Sequence, residues 1–406
     1  MISYEMSMAN SKDISVPGFL AGGKRGGKYG VAIVASEEEA TCSLMVTANR
    51  IRAAPLEVSI EHGRDRKARA VVISSGNANA FTGQRGVEDA RAMAGQTAAA
   101  LGMRAEDVIV NSTGIIGQPL DMDEIRRLID DVSAGLNSDD NGITAAADAM
   151  RTTDSFEKVS SRTAVVDGRT VRITGIAKGA GMIAPQLRHA TMIAVIMTDA
   201  RLSPEEADAL LGEAVEKSFN MAVVDGDTST NDMVVLLANG KAGNNGINED
   251  LRSALEGVCT DLARMIVRDG EGATKLFEVE IRGARSPEDA KRAARAVAGS
   301  TLVKTAVFGE NPNWGRVIAA VGYSGAEFEA SKLSLRVKNE ERDVPLVRDG
   351  VGVALKGSAE LKAAAEVFKG REFRFIIDLG AGQYTATAFG CDLGHSYVKV
   401  NAEYTT

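Results

Sequence analysis

Thr191 leads straight into six apolar residues, Met192-Ile-Ala-Val-Ile-Met197, and stands a short way after a glycine-rich run, Lys178-Gly-Ala-Gly-Met-Ile-Ala-Pro185. An apolar run of that length, with no polar residue to alternate with, reads as a buried strand. The chain must therefore carry this segment into the middle of a core, with Thr191 at its head and the small residue Ala190 behind it. The upstream glycines can bring backbone amides close to a reacting group. A hydroxyl so placed could attack the carbonyl of Ala190, shift the chain onto itself as an ester, and let water finish the cut. The new terminal α-amine, with a reference pKa of about 7.7 to 8.0, could then act as built-in base for the threonine hydroxyl. Taken alone, an Ala-Thr pair ahead of a strand reads as an ordinary strand entry.

At 406 residues the chain is long for one core, which points to two lobes, and its 44% hydrophobic content allows a substantial interior. A net charge of −8 argues against a nucleic-acid or membrane-surface partner, since either needs a basic patch. No apolar run is long enough to span a bilayer, and no basic stretch with an apolar core opens the chain, so a cytoplasmic protein is expected. Cys42, Cys259 and Cys391 are odd in number and widely spaced, and the histidines are His62, His189 and His395. That supply is thin for a zinc cage or a disulfide framework, and poor for a Ser-His-Asp triad.

Elements alternate along the chain. Residues 70–74 and 108–110 read as short buried strands, and 87–101 and 203–218 as helices. Residues 164–173 read as a hairpin turning at Asp167-Gly168. A long helix is predicted over 249–268, and another over 287–298 after Ser286, where Pro287 suits a first helical position. Strands are predicted over 332–338, 351–355, 372–378 and 383–389. The pattern fits an α/β sandwich with a smaller C-terminal lobe from about residue 280.

Several segments carry candidate chemistry. Asn111-Ser-Thr-Gly-Ile-Ile-Gly117 follows a strand and offers the Thr113 hydroxyl beside the amide of Gly114, although by itself it is an ordinary glycine turn. Asp225-Gly-Asp-Thr-Ser-Thr-Asn-Asp232 has carboxylates at alternate positions, as a calcium loop would. It lacks the terminal glutamate and reads instead as a hydrogen-bonded turn near the site. Lys178 and Glu271 would ordinarily be solvated charges, and Asn401 and Thr406 parts of a frayed tail.

In combination these segments carry more. Ser75-Gly-Asn-Ala-Asn-Ala80, Ser112-Thr-Gly-Ile-Ile-Gly117, Thr152-Thr-Asp154, Lys178–Pro185, Ala190-Thr-Met192, Thr198-Asp-Ala200, Asp225–Asp232, Asp269-Gly-Glu-Gly-Ala-Thr-Lys275, Pro312-Asn-Trp-Gly-Arg316, Gly390-Cys-Asp-Leu393 and Asn401-Ala-Glu-Tyr-Thr-Thr406 follow one another in the order of a known family. Along nearly its whole length the chain resembles the ornithine acetyltransferase (glutamate N-acetyltransferase) family of arginine biosynthesis. The resemblance implies an α/β, N-terminal-nucleophile-like sandwich (ArgJ/DmpA-like) that cuts itself between Ala190 and Thr191. An α fragment, 1–190, would then hold the oxyanion hole and substrate contacts, and a β fragment, 191–406, the terminal nucleophile. It implies acetyl transfer from N2-acetyl-L-ornithine to L-glutamate through an acetyl-threonine ester, with no metal or organic cofactor. Some members of the family also take acetyl-CoA as donor, and the residues leave that second activity open.

By the same resemblance Thr113 and Gly114 are the oxyanion donors, and Lys178 meets the substrate carboxylate. One of Thr152 and Thr153 touches substrate, Glu271 holds its amine, and Asn401 and Thr406 complete the pocket. Two α and two β fragments are expected to assemble as a heterotetramer. One departure stands out. The family usually has two residues between the proline and the Ala-Thr pair, whereas Gln186-Leu-Arg-His189 puts four there, so the segment presenting the scissile bond is longer. His189 reads as a loop histidine or as a local acid or base. Two alternatives remain: a related self-processing aminopeptidase or amidase that passes the acyl group to water, and an uncleaved paralogue that only binds amino acids.

Overall fold

The computed structural model describes residues 13–184 and 192–403. They fall into two compact units. The first takes the described residues up to Gly179, those from Met192 to Phe219, and Thr228–Leu262; the second takes Ala180–Ala184, Asn220–Asp227 and the described residues from Ala263 onward.

The first unit is organised by one strand, Tyr29–Val46. Its first half pairs with Phe19–Gly26 and Lys67–Asn77, and its second half, Thr41–Val46, pairs antiparallel with Met233–Ala238. Val108–Ile115 lies beyond Lys67–Asn77, and on the other side follow Ile193–Thr198, Arg169–Lys178 and Lys158–Val166. Between the halves the register with Lys67–Asn77 slips after Ala35, and Glu37, Glu38 and Glu39 are exposed. Period-two alternation then sorts the side chains by face. Val31, Ile33, Val72, Val108 and Val110 pack with the helices Gly83–Leu101 and Met122–Ala134. Ala32, Val34, Val71, Ile73 and Ile109 point the other way, and share a single core with Ile176, Val195, Met197, Val235 and Leu237 of the second half. The sheet is thus folded onto itself as two layers.

The apolar run Met192–Met197 is explained by its place. Ile193–Thr198 is buried at every residue, parallel to the equally apolar Met233–Ala238 and antiparallel to Arg169–Lys178. A strand with both faces covered has no solvent side on which to place polar residues. On its outer face, Val258 and Leu262 of the helix Glu249–Arg268 press on Gly175 beside Ile196, so closely that a Cβ there would come within 2.7 Å of Leu262. The resulting helix–sheet–sheet–helix stack is the α/β sandwich expected. Local signals set its edges: Ser203 and Glu206 form a capping box at Pro204–Lys217, and Asp167-Gly168 turns the hairpin in left-handed backbone.

The second unit has its own sheet, ordered Val351–Gly352, Asp343–Arg348, Ser334–Lys338, Glu372–Asp378, Leu276–Ala284, Tyr384–Cys391, Ala222–Val223. Its interior is aromatic, with Phe277, Phe368, Phe373 and Phe375 in stacked and edge contacts 4.9–6.3 Å apart. The strand predicted over 351–355 is only two residues long. The amides of Val353 and Ala354 both turn onto the carbonyl of Leu346, and the carbonyl of Ala354 accepts the indole N–H of Trp314, which ends the ladder.

If the two layers share one core, truncation inside it is expensive. Leu237→Ala, at a fully buried position, should lower unfolding free energy by about 2–5 kcal/mol in urea titration. Val165→Ala, where the residue is 55% exposed, should cost less than about 1 kcal/mol.

Candidate active site

Thr113 and Gly114 end the strand Val108–Ile115, in parallel register with Ser75 and Gly76. The pairing is unusually close: Gly114 has φ +129°, and a Cβ there would sit 2.2 Å from the carbonyl oxygen of Gly76. Only glycine fits both the dihedral and the space. Thr113 is 8% exposed, and its hydroxyl has no partner among the described residues, so it is a donor still available. A pair of buried asparagines surrounds this turn. Asn231 donates to the carbonyls of Ala78 and Ser112 at 2.6 and 2.7 Å, and Asn111 donates to the carbonyl of Asn231 at 2.8 Å. Two residues on, the amide of Met233 donates to the carbonyl of Met192 at 2.8 Å.

Ala190 and Thr191 lie outside the described residues, as does Thr406. Met192, the residue after Thr191, is described, and its carbonyl is bonded within two residues of the asparagine that holds Ser112.

A second cluster of the first unit gathers around Asp154. Its carboxylate accepts from the amide of Thr152 at 3.0 Å, the amide of Gly179 at 2.6 Å and the ammonium of Lys158 at 2.8 Å, and it pairs with Lys178 at 3.9 Å. Burial alone would push this carboxyl up. The charges of Lys178 and Lys158, with the Gly179 amide and the Lys158 hydrogen bond, overcome it and hold Asp154 well below the usual carboxylate range. Lys178, at 3.9 Å, is close enough for charge but too far for a hydrogen bond, so its N–H groups keep their capacity for a carboxylate ligand. Of the two adjacent threonines, Thr152 is half-buried with its amide on Asp154, and Thr153 is exposed. Asp154 has no role legible in its motif, because what identifies it is two lysines that converge on it in the fold.

The second unit brings together Glu271 and Asn401, 130 residues apart, through a 2.9 Å hydrogen bond from the Asn401 amide. Asn401 sits on the terminal helix His395–Glu403 and also donates to the carbonyl of Tyr397 at 3.0 Å. The amide of Glu271 donates to the carbonyl of Ala180, and a Cβ on Gly181 would meet the Glu271 carboxylate at 2.5 Å. Met182, with φ 56°, is in left-handed backbone that a non-glycine residue adopts only when held there. Asp225 holds it, accepting the amides of Met182 at 2.5 Å and Ile183 at 2.8 Å. Burial pushes the Asp225 carboxyl up despite these bonds. Tyr397 is pushed up to about 12, by burial and then by the negative charges of Asp225, Asp227 and Glu271. Among the described residues no lysine or arginine pairs with those three carboxylates, so this locality favours a cationic ligand such as an ammonium.

The chain matches the ArgJ family over residues 15–406. It is 45% identical, across the whole of both chains, to a glutamate N-acetyltransferase of Methanothermobacter thermautotrophicus. To an arginine biosynthesis bifunctional protein ArgJ of Caldanaerobacter subterraneus it is 43% identical, over 97% of each chain. A crystal structure of an arginine biosynthesis bifunctional protein from Bacillus halodurans is 38% identical and covers 51% of this chain and 96% of its own, with a TM-score of 0.47.

Asp154 and Lys158 have fully buried side chains, so removing one charge strands the other. Asp154→Asn should cost about 3–5 kcal/mol by chemical denaturation near neutral pH. The carboxyl is depressed in the fold, so its contribution is complete above its unfolded value of about 3.9 and is lost as pH falls below it. The gap between wild type and Asp154→Asn should therefore narrow below about pH 4.

Proposed function

The chain belongs to the ArgJ family, and from that premise we propose that it moves the acetyl group of N2-acetyl-L-ornithine to L-glutamate through an acetyl ester on Thr191. The observation that carries this reading is the segment Asn231–Met233, bonded at one end to Ser112, beside Thr113, and at the other to Met192, beside Thr191. Acyl transfer needs a nucleophile and oxyanion donors within reach of one carbonyl, and this segment supports their convergence.

The Thr191 hydroxyl first attacks the carbonyl of Ala190, the peptide nitrogen leaves as the new α-amine, and water hydrolyses the ester to free the upstream fragment. That α-amine, with a reference pKa of about 7.7 to 8.0, then takes the hydroxyl proton as Thr191 attacks the acetyl carbonyl. The Thr113 hydroxyl and the Gly114 amide donate to the tetrahedral oxyanion, a contribution of about 3–4 kcal/mol for one such donor. Ornithine leaves carrying the proton, and the acetyl group stays on Thr191. The amine of glutamate attacks this ester and regenerates the hydroxyl. Lys178, with its unengaged donors, takes a substrate carboxylate. Glu271, oriented by Asn401, takes the side-chain ammonium of ornithine, the cation left free when the α-amine is acetylated, and the α-amine of glutamate attacks in its neutral form. Thr152 and Thr406 complete the contacts.

Mass spectrometry should find two fragments of about 20 and 23 kDa from the 42.7 kDa chain, the second starting at Thr191. Acetylornithine alone should add one acetyl group to the second fragment, and glutamate should remove it. Thr191→Ala should give one uncut, inactive chain. Glu271→Gln should still be cut, but should use acetylornithine and glutamate far less well. An uncut wild-type chain with full activity would overturn the mechanism.

A further inference from the structure

We infer that Asn231 is the positioning residue that sets the oxyanion turn relative to the nucleophile strand, an inference resting on the acyl-transfer reading above. Asn231 is 5% exposed, and every polar group it has is engaged. Its side-chain amide donates both N–H groups, to Ala78 and Ser112. Its side-chain oxygen accepts from the Thr230 hydroxyl at 2.5 Å, its backbone amide donates to the Ser229 hydroxyl at 3.1 Å, and its carbonyl accepts from Asn111. With both N–H groups committed to carbonyls it has no donor left for an oxyanion, so it acts through the groups it holds.

What it holds is the turn from both sides. Ser112 precedes Thr113; its carbonyl is bonded by Asn231 and its amide donates to Asn111 Oδ1 at 2.8 Å. Ile115 follows Gly114; its carbonyl accepts from the amide of Ala78, whose own carbonyl is bonded by Asn231 at 2.6 Å. Thr113 and Gly114 therefore sit between two backbone positions tied to one side chain. The same segment reaches the head of the nucleophile strand through Met233, whose amide donates to Met192, while Asp232 accepts from the amide of Thr47 at 3.0 Å, just past the strand Tyr29–Val46. An error of about 1 Å in such an arrangement can cost roughly a hundredfold in rate.

The chemistry allows little substitution. Two carbonyls must each receive an N–H from one short side chain, which a primary amide supplies and a hydroxyl cannot. Aspartate, of the same size, would turn an acceptor toward both carbonyls and leave them buried without donors. Asn111 is the reciprocal half of the brace, since it donates to Asn231 while its own oxygen receives Ser112.

The test is a double-mutant cycle between Asn231→Asp and Thr113→Ala, read as kcat and KM for acetylornithine and as the rate of self-cleavage. Asn231→Asp should lower kcat by roughly 30- to 300-fold, with KM within about threefold, because the ammonium and carboxylate contacts are elsewhere. Thr113→Ala should lower it by roughly a hundred- to a thousandfold. If Asn231 acts through the turn, the double variant should be no more than about threefold slower than Thr113→Ala. Multiplicative losses, or wild-type kcat in Asn231→Asp, would overturn the inference. Wild-type turnover in Thr113→Ala would instead remove the oxyanion reading beneath it. Should Asn231→Asp fail to fold or to cut, Asn111→Ser enters the same cycle: it frees the carbonyl of Asn231 and the amide of Ser112 and keeps both side-chain donors of Asn231. Additivity with Thr113→Ala in that cycle would equally overturn the inference.

Discussion

Everything in the first unit hangs on the strand Tyr29–Val46. It is bonded to the neighbours of one half through its first residues and to Met233–Ala238 through its last. A strand of 18 residues is far longer than usual, and it continues past the point where its register slips because hydrogen bonds hold it on both sides of that point. The slip lets the second half turn over the first, so that even-numbered residues such as Ala32 and Val34 meet Val195 and Val235 in one core. Leu56 of the helix Ala54–His62 and Ile143 and Ala146 of the helix Asp140–Ala149 join the same core as Val71, Ile73 and Leu237.

Polar braces then set the local geometry that apolar packing leaves free. Burial of a carbonyl or a carboxylate is tolerated only with a partner, so each brace is constrained to one arrangement. Asn231 satisfies two carbonyls beside the glycine turn, Asp154 satisfies two amides and a buried lysine, and Asp225 satisfies the amides of the left-handed Met182 and of Ile183 after it. The motif Asp225–Asp232 holds Met182 and Ile183 through Asp225 and Ser112 through Asn231, and Met233, the residue after it, holds Met192. The motif reads as a hydrogen-bonded turn because Asp225 accepts the amides of Met182, Ile183 and Asp227 and the loop lacks the terminal glutamate of a calcium site.

Much of the fold is legible because its signals are short. The helices Glu249–Arg268 and Pro287–Ala298 stand where the periodicity and the Ser286 cap put them, and the hairpin turns at Asp167-Gly168. The long strand is not legible, since Glu37, Glu38 and Glu39 interrupt the alternation where the strand leaves one layer for the other. The helix Trp314–Gly322 is hidden too, since no side chain caps its start and Arg316 is the one charged residue along it.

The sequence by itself determined the class of fold, the buried strand after Thr191 and the family, because periodicity, caps and the order of many short motifs act over a few residues at a time. It also supplied the candidate residues Thr113, Gly114, Lys178, Glu271 and Asn401. Only the tertiary structure decided which of these have neighbours that fit them for chemistry. Asn231 meets Ser112 across 119 residues and Asn401 meets Glu271 across 130, while two lysines converge on Asp154 from different strands. The physical reason is that hydrogen bonds and charges act over a few ångströms, and which distant segments come that close is set by strand order and by the fold-over of one long strand.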